Sequence, residues 1–393
     1  MLQDVVVEGK DALSMMTSDF IHANAMAQSS RIFSARMSEK HNRMTRLHFV
    51  AWARFFARLP QLQKRTAGAK PVHGLDYSAE ECRNTTKSCS KALLDLHGNH
   101  AHGRCAAAMA GLHYKHGLMR KVVATFGERS GVEVGMEPAT HRLLQNLFTA
   151  KECRAIFTKD PCKKQKELTS ELVEELTKAN VLDSGEGEKR REQLIEQLGS
   201  KRSWRQRECV GLRVDLRIVD SESHPKQEMI VDVTSIHPTC KTRIKAEWKK
   251  TLENMAEGEK QEALPIRKRR HLVGAAVDRQ TKLKHGKYAP LMALLKKQQL
   301  DGKRDTHPTF IAGVCSTLGE FGPDLFQLQE WLTKVYARKL EREEDYKGPR
   351  LDGLSTATLT AEFRTGFKTS LQVAVAKGLA RMLSEAGLAF SNR

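Results

Sequence analysis

Two aspartates stand inside runs of β-branched and aliphatic residues: Asp215 in Leu212-Arg213-Val214-Asp215-Leu216-Arg217-Ile218 and Asp232 in Met229-Ile230-Val231-Asp232-Val233-Thr234. Such runs read as neighbouring β-strands, where a carboxylate is costly to bury unless a cation or a hydrogen-bond network compensates it. A divalent metal ion would supply that compensation.

The rest of the chain alternates helical and strand patterns. From about Asp11 to Leu62 apolar positions such as Leu47, Val50, Ala51, Phe55 and Leu59 fall at helical spacing, and Pro60 ends the run. A connector with Gly68, Pro71 and Gly74 leads to a cluster of cysteines and histidines. The face formed by Leu118, Val122, Val123 and Phe126 predicts a helix over His113 to Arg129, followed by a short strand from Val132 to Glu137 that Pro138 stops. Residues 144–207 are rich in Lys, Glu and Gln and read as a helical insertion or hairpin, broken near Asp183-Ser184-Gly185-Glu186-Gly187, with the character of a solvated charged arm. Beyond the aspartate strands the pattern predicts a helix over Thr239 to Glu257 and a basic loop at Pro265-Ile266-Arg267-Lys268-Arg269-Arg270. A helix from Val273 to Gln299, a strand from Thr309 to Cys315, and helices from Asp324 to Arg342 and from Thr356 to Ala386 complete it. This order predicts an α/β (α+β) protein, with a small mixed sheet flanked by helices.

The formal net charge of +19 favours a polyanionic partner, and nucleic acid leads. A basic membrane-surface binder is the rival, but neither an apolar stretch long enough to span a bilayer nor a strongly segregated amphipathic anchor is found. Met1-Leu2-Gln3-Asp4 lacks the charged-then-apolar order of a secretory signal, so the nucleus or cytoplasm is the expected location. Eight cysteines scattered over 393 residues do not form a dense disulfide framework, and reduced thiols are expected. Cys82, Cys89 and Cys105 lie beside a run of histidines, where metal ligation competes with ordinary burial.

The order of several motifs resembles the C-terminal part of non-LTR retrotransposon polyproteins, where a Cys/His zinc knuckle precedes a restriction-like endonuclease. The residues that carry the likeness are Ala51-Trp52 and Leu59-Pro60-Gln61-Leu62, then Gly98-Asn99-His100-Ala101-His102-Gly103-Arg104-Cys105, Lys115-His116, Gly131-Val132-Glu133-Val134 and Glu137-Pro138. It continues through Arg213-Val214-Asp215-Leu216, Val231-Asp232-Val233-Thr234, Lys284 to Tyr288, and Phe310-Ile311-Ala312-Gly313-Val314 with Gly319 and Gly322. Coverage runs from about residue 50 to the end, without the charged insertion.

The resemblance implies a helical region over 1–78, a zinc knuckle within 79–112 and a nuclease domain of the PD-(D/E)XK type over 113–393. In such a core, Asp215 and Asp232 would hold Mg²⁺ or Mn²⁺ against a scissile phosphate, Glu137 would add a third carboxylate, and a lysine would stabilise charge or orient water. The position two after Asp232 is Thr234 rather than lysine, and Val214 stands where proline often precedes the first aspartate. The lysine then falls on a later helix, at Lys284 or Lys287, with Lys245 a weaker choice. Structural zinc would use Cys82, Cys89, His100 and Cys105, with His97 and His102 as substitutes for His100. Lys115, His116, Lys241, Arg243, Lys245 and Arg267, Lys268, Arg269 and Arg270 are the expected nucleic-acid contacts, the last four alternatively a nuclear import signal.

No pair of adjacent aspartates in an aromatic-flanked turn, the hallmark of a reverse-transcriptase polymerase, occurs in the chain. The expected activity is therefore that of a metal-dependent DNA endonuclease without a polymerase: a terminal fragment, a decayed copy or a unit in host use. DNA is the expected partner, with retroelement RNA as a further one. A catalytically silent nucleic-acid binder and a helical scaffold protein are the alternatives.

Overall fold

The alternating runs around the two aspartates become paired strands in a computed structural model, which describes residues 108–144, 186–190, 192–194, 213–237, 266–317, 319–347 and 353–385. In chain order the elements are α1 (Met109–Ser130), β1 (Glu133–Met136), α2 (Thr140–Leu143), β2 (Leu216–Asp220), β3 (Gln227–Ile236), α3 (Ile266–Leu300), β4 (Thr309–Ser316), α4 (Pro323–Lys347) and α5 (Thr356–Glu385). The strands form one sheet in the order β1-β2-β3-β4, with β1 antiparallel to β2 and β2 antiparallel to β3. The mixed α and β class expected from the sequence is present.

Contacts divide the chain into two units, one drawn from Gly131–Asp232 and Lys282–Ala312, the other from Met1–Ser130, Val233–Thr281 and Gly313–Arg393. Strands β3 and β4 and helix α3 each run from one unit into the other. In the first, sheet-bearing unit, Leu216, Ile218, Ile230, Val231, Leu291, Leu295 and Phe310 are buried. Strand residues of alternating or continuous apolar character are what such a core needs.

The second unit combines the ends of β3 and β4 with α1, α4 and α5. Phe126 of α1 meets Phe363 and Phe367 of α5 edge-on at centroid distances of 5.0 and 5.3 Å, and Tyr336 of α4 stacks on Phe363 at 4.4 Å. Helix α5 is buried at every position from 367 to 380, the pattern of a helix at the centre of its unit rather than on its surface.

Several expectations are corrected here. Arg267, Lys268, Arg269 and Arg270 lie in the first turns of α3, not in a loop, since the helical pattern from Val273 extends back to Ile266 once Pro265 is passed, and proline is tolerated just at a helix start. Gly187 is helical, so the expected break in the insertion does not include 186–190. Asp215 directly precedes β2 instead of lying within it. Lys115, expected to meet phosphate, is 3% exposed, because its stem packs on Gly378 of α5.

The helix at Thr239 to Glu257, Lys241, Arg243 and Lys245, and the cysteine cluster of Cys82, Cys89, His100 and Cys105 lie outside the described residues, as do the helices before Leu62. Among the described residues no helix is long and apolar enough to cross a membrane.

Burial pushes the Lys115 ammonium down to about 8. A lysine whose pKa is lower folded than unfolded penalises the fold while charged, and that penalty is relieved as pH rises from about 8 toward the ordinary 10.5. Lys115→Met, which keeps the stem and removes the charge, is expected to stabilise the protein at pH 7 by roughly 1–3 kcal/mol. In thermal melts across pH 7 to 10, the parent should gain stability on this account while the variant stays level.

Candidate metal centre

Antiparallel pairing places the two aspartates before any side-chain interaction is considered. Leu216 of β2 pairs with Val231 of β3, so one step outward sets Asp215 opposite Asp232, and the Asp215 amide donates to the Val231 carbonyl at 3.2 Å. Directly opposed residues of an antiparallel pair project from the same face. Their carboxylate oxygens accordingly lie within 4.8 Å of one another. Both residues are buried, Asp215 at 6% exposure and Asp232 at 5%.

Helix α3 supplies the counter-charge. Lys284, Lys287 and Tyr288 fall at the three- and four-residue spacing that puts side chains on one helix face. The Lys284 ammonium is 2.6 Å from Asp232 Oδ2, and Lys287 is 3.8 Å from the same oxygen. Burial alone would raise the Asp232 pKa; the ammonium groups of Lys284 and Lys287 outweigh it, so the carboxyl is held below the usual range. Burial in turn lowers the Lys284 pKa, against the opposing pull of Asp232. Lys284 is almost fully enclosed, whereas the Lys287 side chain keeps 24% of its surface open. The two lysines therefore differ in role: one is an internal counter-ion, the other a cation within reach of solvent.

The residues fit a divalent cation of the hard, oxygen-seeking kind. Asp232 Oδ2 has the Lys284 ammonium beside it but accepts no aligned hydrogen bond, which leaves a lone pair for a metal. Two oxygens sharing one Mg²⁺ stand at most about 4.2 Å apart, a spacing that falls inside the 4.8 Å within which this group lies.

Glu137 follows a different course. Extending the β1/β2 register, in which Met136 pairs with Leu216, sets Glu137 beside Asp215, and its amide donates to the Asp215 carbonyl at 2.8 Å. However, its φ of 45° breaks the pleat, and the residue is exposed. Among the described residues its carboxylate does not converge with those of Asp215 and Asp232. Glu137 is thus set beside the pair by its backbone, with its carboxylate outside the group that Asp215 and Asp232 form. Lys115 and His116 lie on α1, in the second unit, where Lys115 is buried and His116 half-buried.

A second ion cluster braces the same sheet face. Glu228, two residues diagonal to the partner of Arg217, bonds Arg217 Nε through Oε1 at 2.7 Å and Arg304 through Oε2. Arg304 also donates to the Leu143 carbonyl at 2.8 Å, and Gln298 to that of Leu144 at 2.8 Å, closing the end of α2. No local spacing announces this cluster in the sequence, since Arg304 and Glu228 are 76 residues apart.

Burial would raise the Glu228 pKa, but the hydrogen bonds and charges of Arg304 and Arg217 prevail and lower it. A carboxylate depressed in the folded state adds stability above its unfolded pKa, which is lost as pH falls through the folded value. Arg304→Met is expected to cost about 3 kcal/mol by stranding a buried carboxylate with one partner. Thermal melts from pH 7 down to 3 should show the parent losing stability below about 4.5; a parent that holds level would contradict the assignment.

Comparison of the chain with protein-family models, with curated proteins and with solved structures finds no match.

Proposed function

We propose that this chain is a divalent-metal-dependent DNA endonuclease of the restriction-like type, with Asp215 and Asp232 as the ligands of its ion. The observation that carries this reading is the meeting of two buried carboxylates across adjacent strands, with a lysine ammonium 2.6 Å from one of them. A bound Mg²⁺ or Mn²⁺ would activate water and neutralise charge developing on the phosphoryl oxygens. Asp215 and Asp232 supply hard oxygens on a rigid sheet, which fixes where that charge sits. Lys284 keeps Asp232 ionised in the interior. Lys287, partly open to solvent, is the cation that meets a phosphate oxygen. The surplus of positive charge draws a polyanion toward the site and holds it by its backbone, without selecting a sequence.

A second reading, a silent nucleic-acid binder that retains the fold, is favoured by the close Lys284–Asp232 pair, which already satisfies the charge of the carboxylate. A supercoiled plasmid incubated with Mg²⁺ separates the two. The parent should nick it and Asp232→Ala should not, at equal DNA binding; binding by both with cleavage by neither would leave the second reading. The proposed zinc knuckle and the contacts of Lys241, Arg243 and Lys245 lie outside the described residues and are not needed for this test.

A further inference from the structure

We infer that Tyr288 is a positioning residue that clamps the backbone leading into Asp215, so that one turn of α3 governs both carboxylates. Tyr288 is fully buried. Its hydroxyl donates to the main-chain carbonyl of Arg213, two residues before Asp215. Its ring is fixed by stacking on Phe310, at a centroid distance of 4.5 Å and an interplanar angle of 26°. The Lys287 ammonium sits 4.8 Å from the ring centroid and 3.5 Å from the hydroxyl oxygen.

The paired registers of β2 begin at Leu216 on both sides, so the segment carrying Asp215 lies just beyond the ladder. Among the described residues its main chain is tethered by the Asp215 amide on Val231, the Glu137 amide on the Asp215 carbonyl, and Tyr288 on the Arg213 carbonyl. The last of these comes from α3. Lys284, four residues earlier on the same helix face, grips Asp232. A single turn of α3 thereby holds one carboxylate by charge and the other by its backbone, while the same ring supports Lys287. A buried hydroxyl with a carbonyl partner also has the energetics of a specific tie and not of filler, because losing it leaves that carbonyl without its partner.

The clamp rests on the proposed carboxylate pair for its purpose, but hydrogen exchange tests it without any cleavage. Tyr288→Phe keeps the ring and its stacking and removes the hydroxyl alone. In the full chain, amide hydrogen exchange at Asp215 and Glu137 is expected to quicken about tenfold, with exchange in α5 unchanged, and the Mn²⁺ concentration giving half-maximal plasmid nicking should rise about tenfold. Unchanged exchange at Asp215, a rise of equal size throughout α5, or an unaltered Mn²⁺ dependence would each overturn the inference. Faster exchange at Asp215 in a protein whose parent nicks nothing would leave the clamp standing and remove the nuclease reading.

Discussion

Replacing Asp232 by alanine is expected to lower plasmid nicking by about a thousandfold or more, because a metal's stabilisation of transition-state charge is worth several kcal/mol and each 1.4 kcal/mol is a factor of ten. The same change also strands Lys284, which is 8% exposed and 2.6 Å from the lost carboxylate. Removing one partner of a buried ion pair typically costs about 3–5 kcal/mol. Loss of cleavage by Asp232→Ala would therefore mix chemistry with unfolding.

A paired substitution separates them. Asp232→Asn combined with Lys284→Met removes both charges at nearly constant volume, and buried pairs replaced by neutral groups are often no less stable. The double variant should melt within a few degrees of the parent while nicking stays lost. Cleavage at the parental rate by that folded double variant would eliminate Asp232 as a ligand. The opposite failure, a parent that binds plasmid but never nicks it, would leave the ion pair as a structural feature alone.

Gly378→Ala is expected to destabilise the protein by at least about 3 kcal/mol, reversing the usual gain of up to ~1 kcal/mol for this exchange inside a helix. A β-carbon there would lie 2.2 Å from Lys115 Cβ, 2.3 Å from Cγ and 2.8 Å from Cα. A rotamer change moves Cγ alone, whereas Cα and the Cβ bonded to it are set by the backbone, so α1 and α5 would have to part. Gly117→Ala is the matched control on α1: a β-carbon there has nothing within 4 Å, and a gain of roughly 0.5–1 kcal/mol is expected. Urea midpoints for the two variants should move in opposite directions. Equal stability of Gly378→Ala and the parent would mean that the helices do not approach so closely.

The strands were legible because their apolar runs are short and bounded, and β3 and β4 begin and end within a few residues of where the pattern sets them. Helix α4 was legible from its one-sided apolar spacing, and α5 from a long run of helix-forming residues without proline. Boundaries went astray where a local signal pointed both ways. Arg267 to Arg270 have the charge of a loop and the propensity of a helix, and the helix won. Lys115 shows the limit of reading charge as surface, since nothing in His113-Tyr114-Lys115-His116 announces that Gly378, some 260 positions later, receives its stem.

The candidate site divides in the same way. Asp215 and Asp232 were singled out by residue type within strand patterns, and Lys284 and Lys287 by a family likeness. What no local pattern contained was the register that sets the aspartates opposite one another, the positive φ of Glu137, and the reach of Tyr288 to a carbonyl 75 residues earlier. Burial energetics and periodicity act over a few residues, so they mark most of the strands and helices and the carboxylates that must be compensated. What compensates those carboxylates is a matter of the fold, because charge and hydrogen bonding depend on distances of a few ångströms between segments that the chain separates widely.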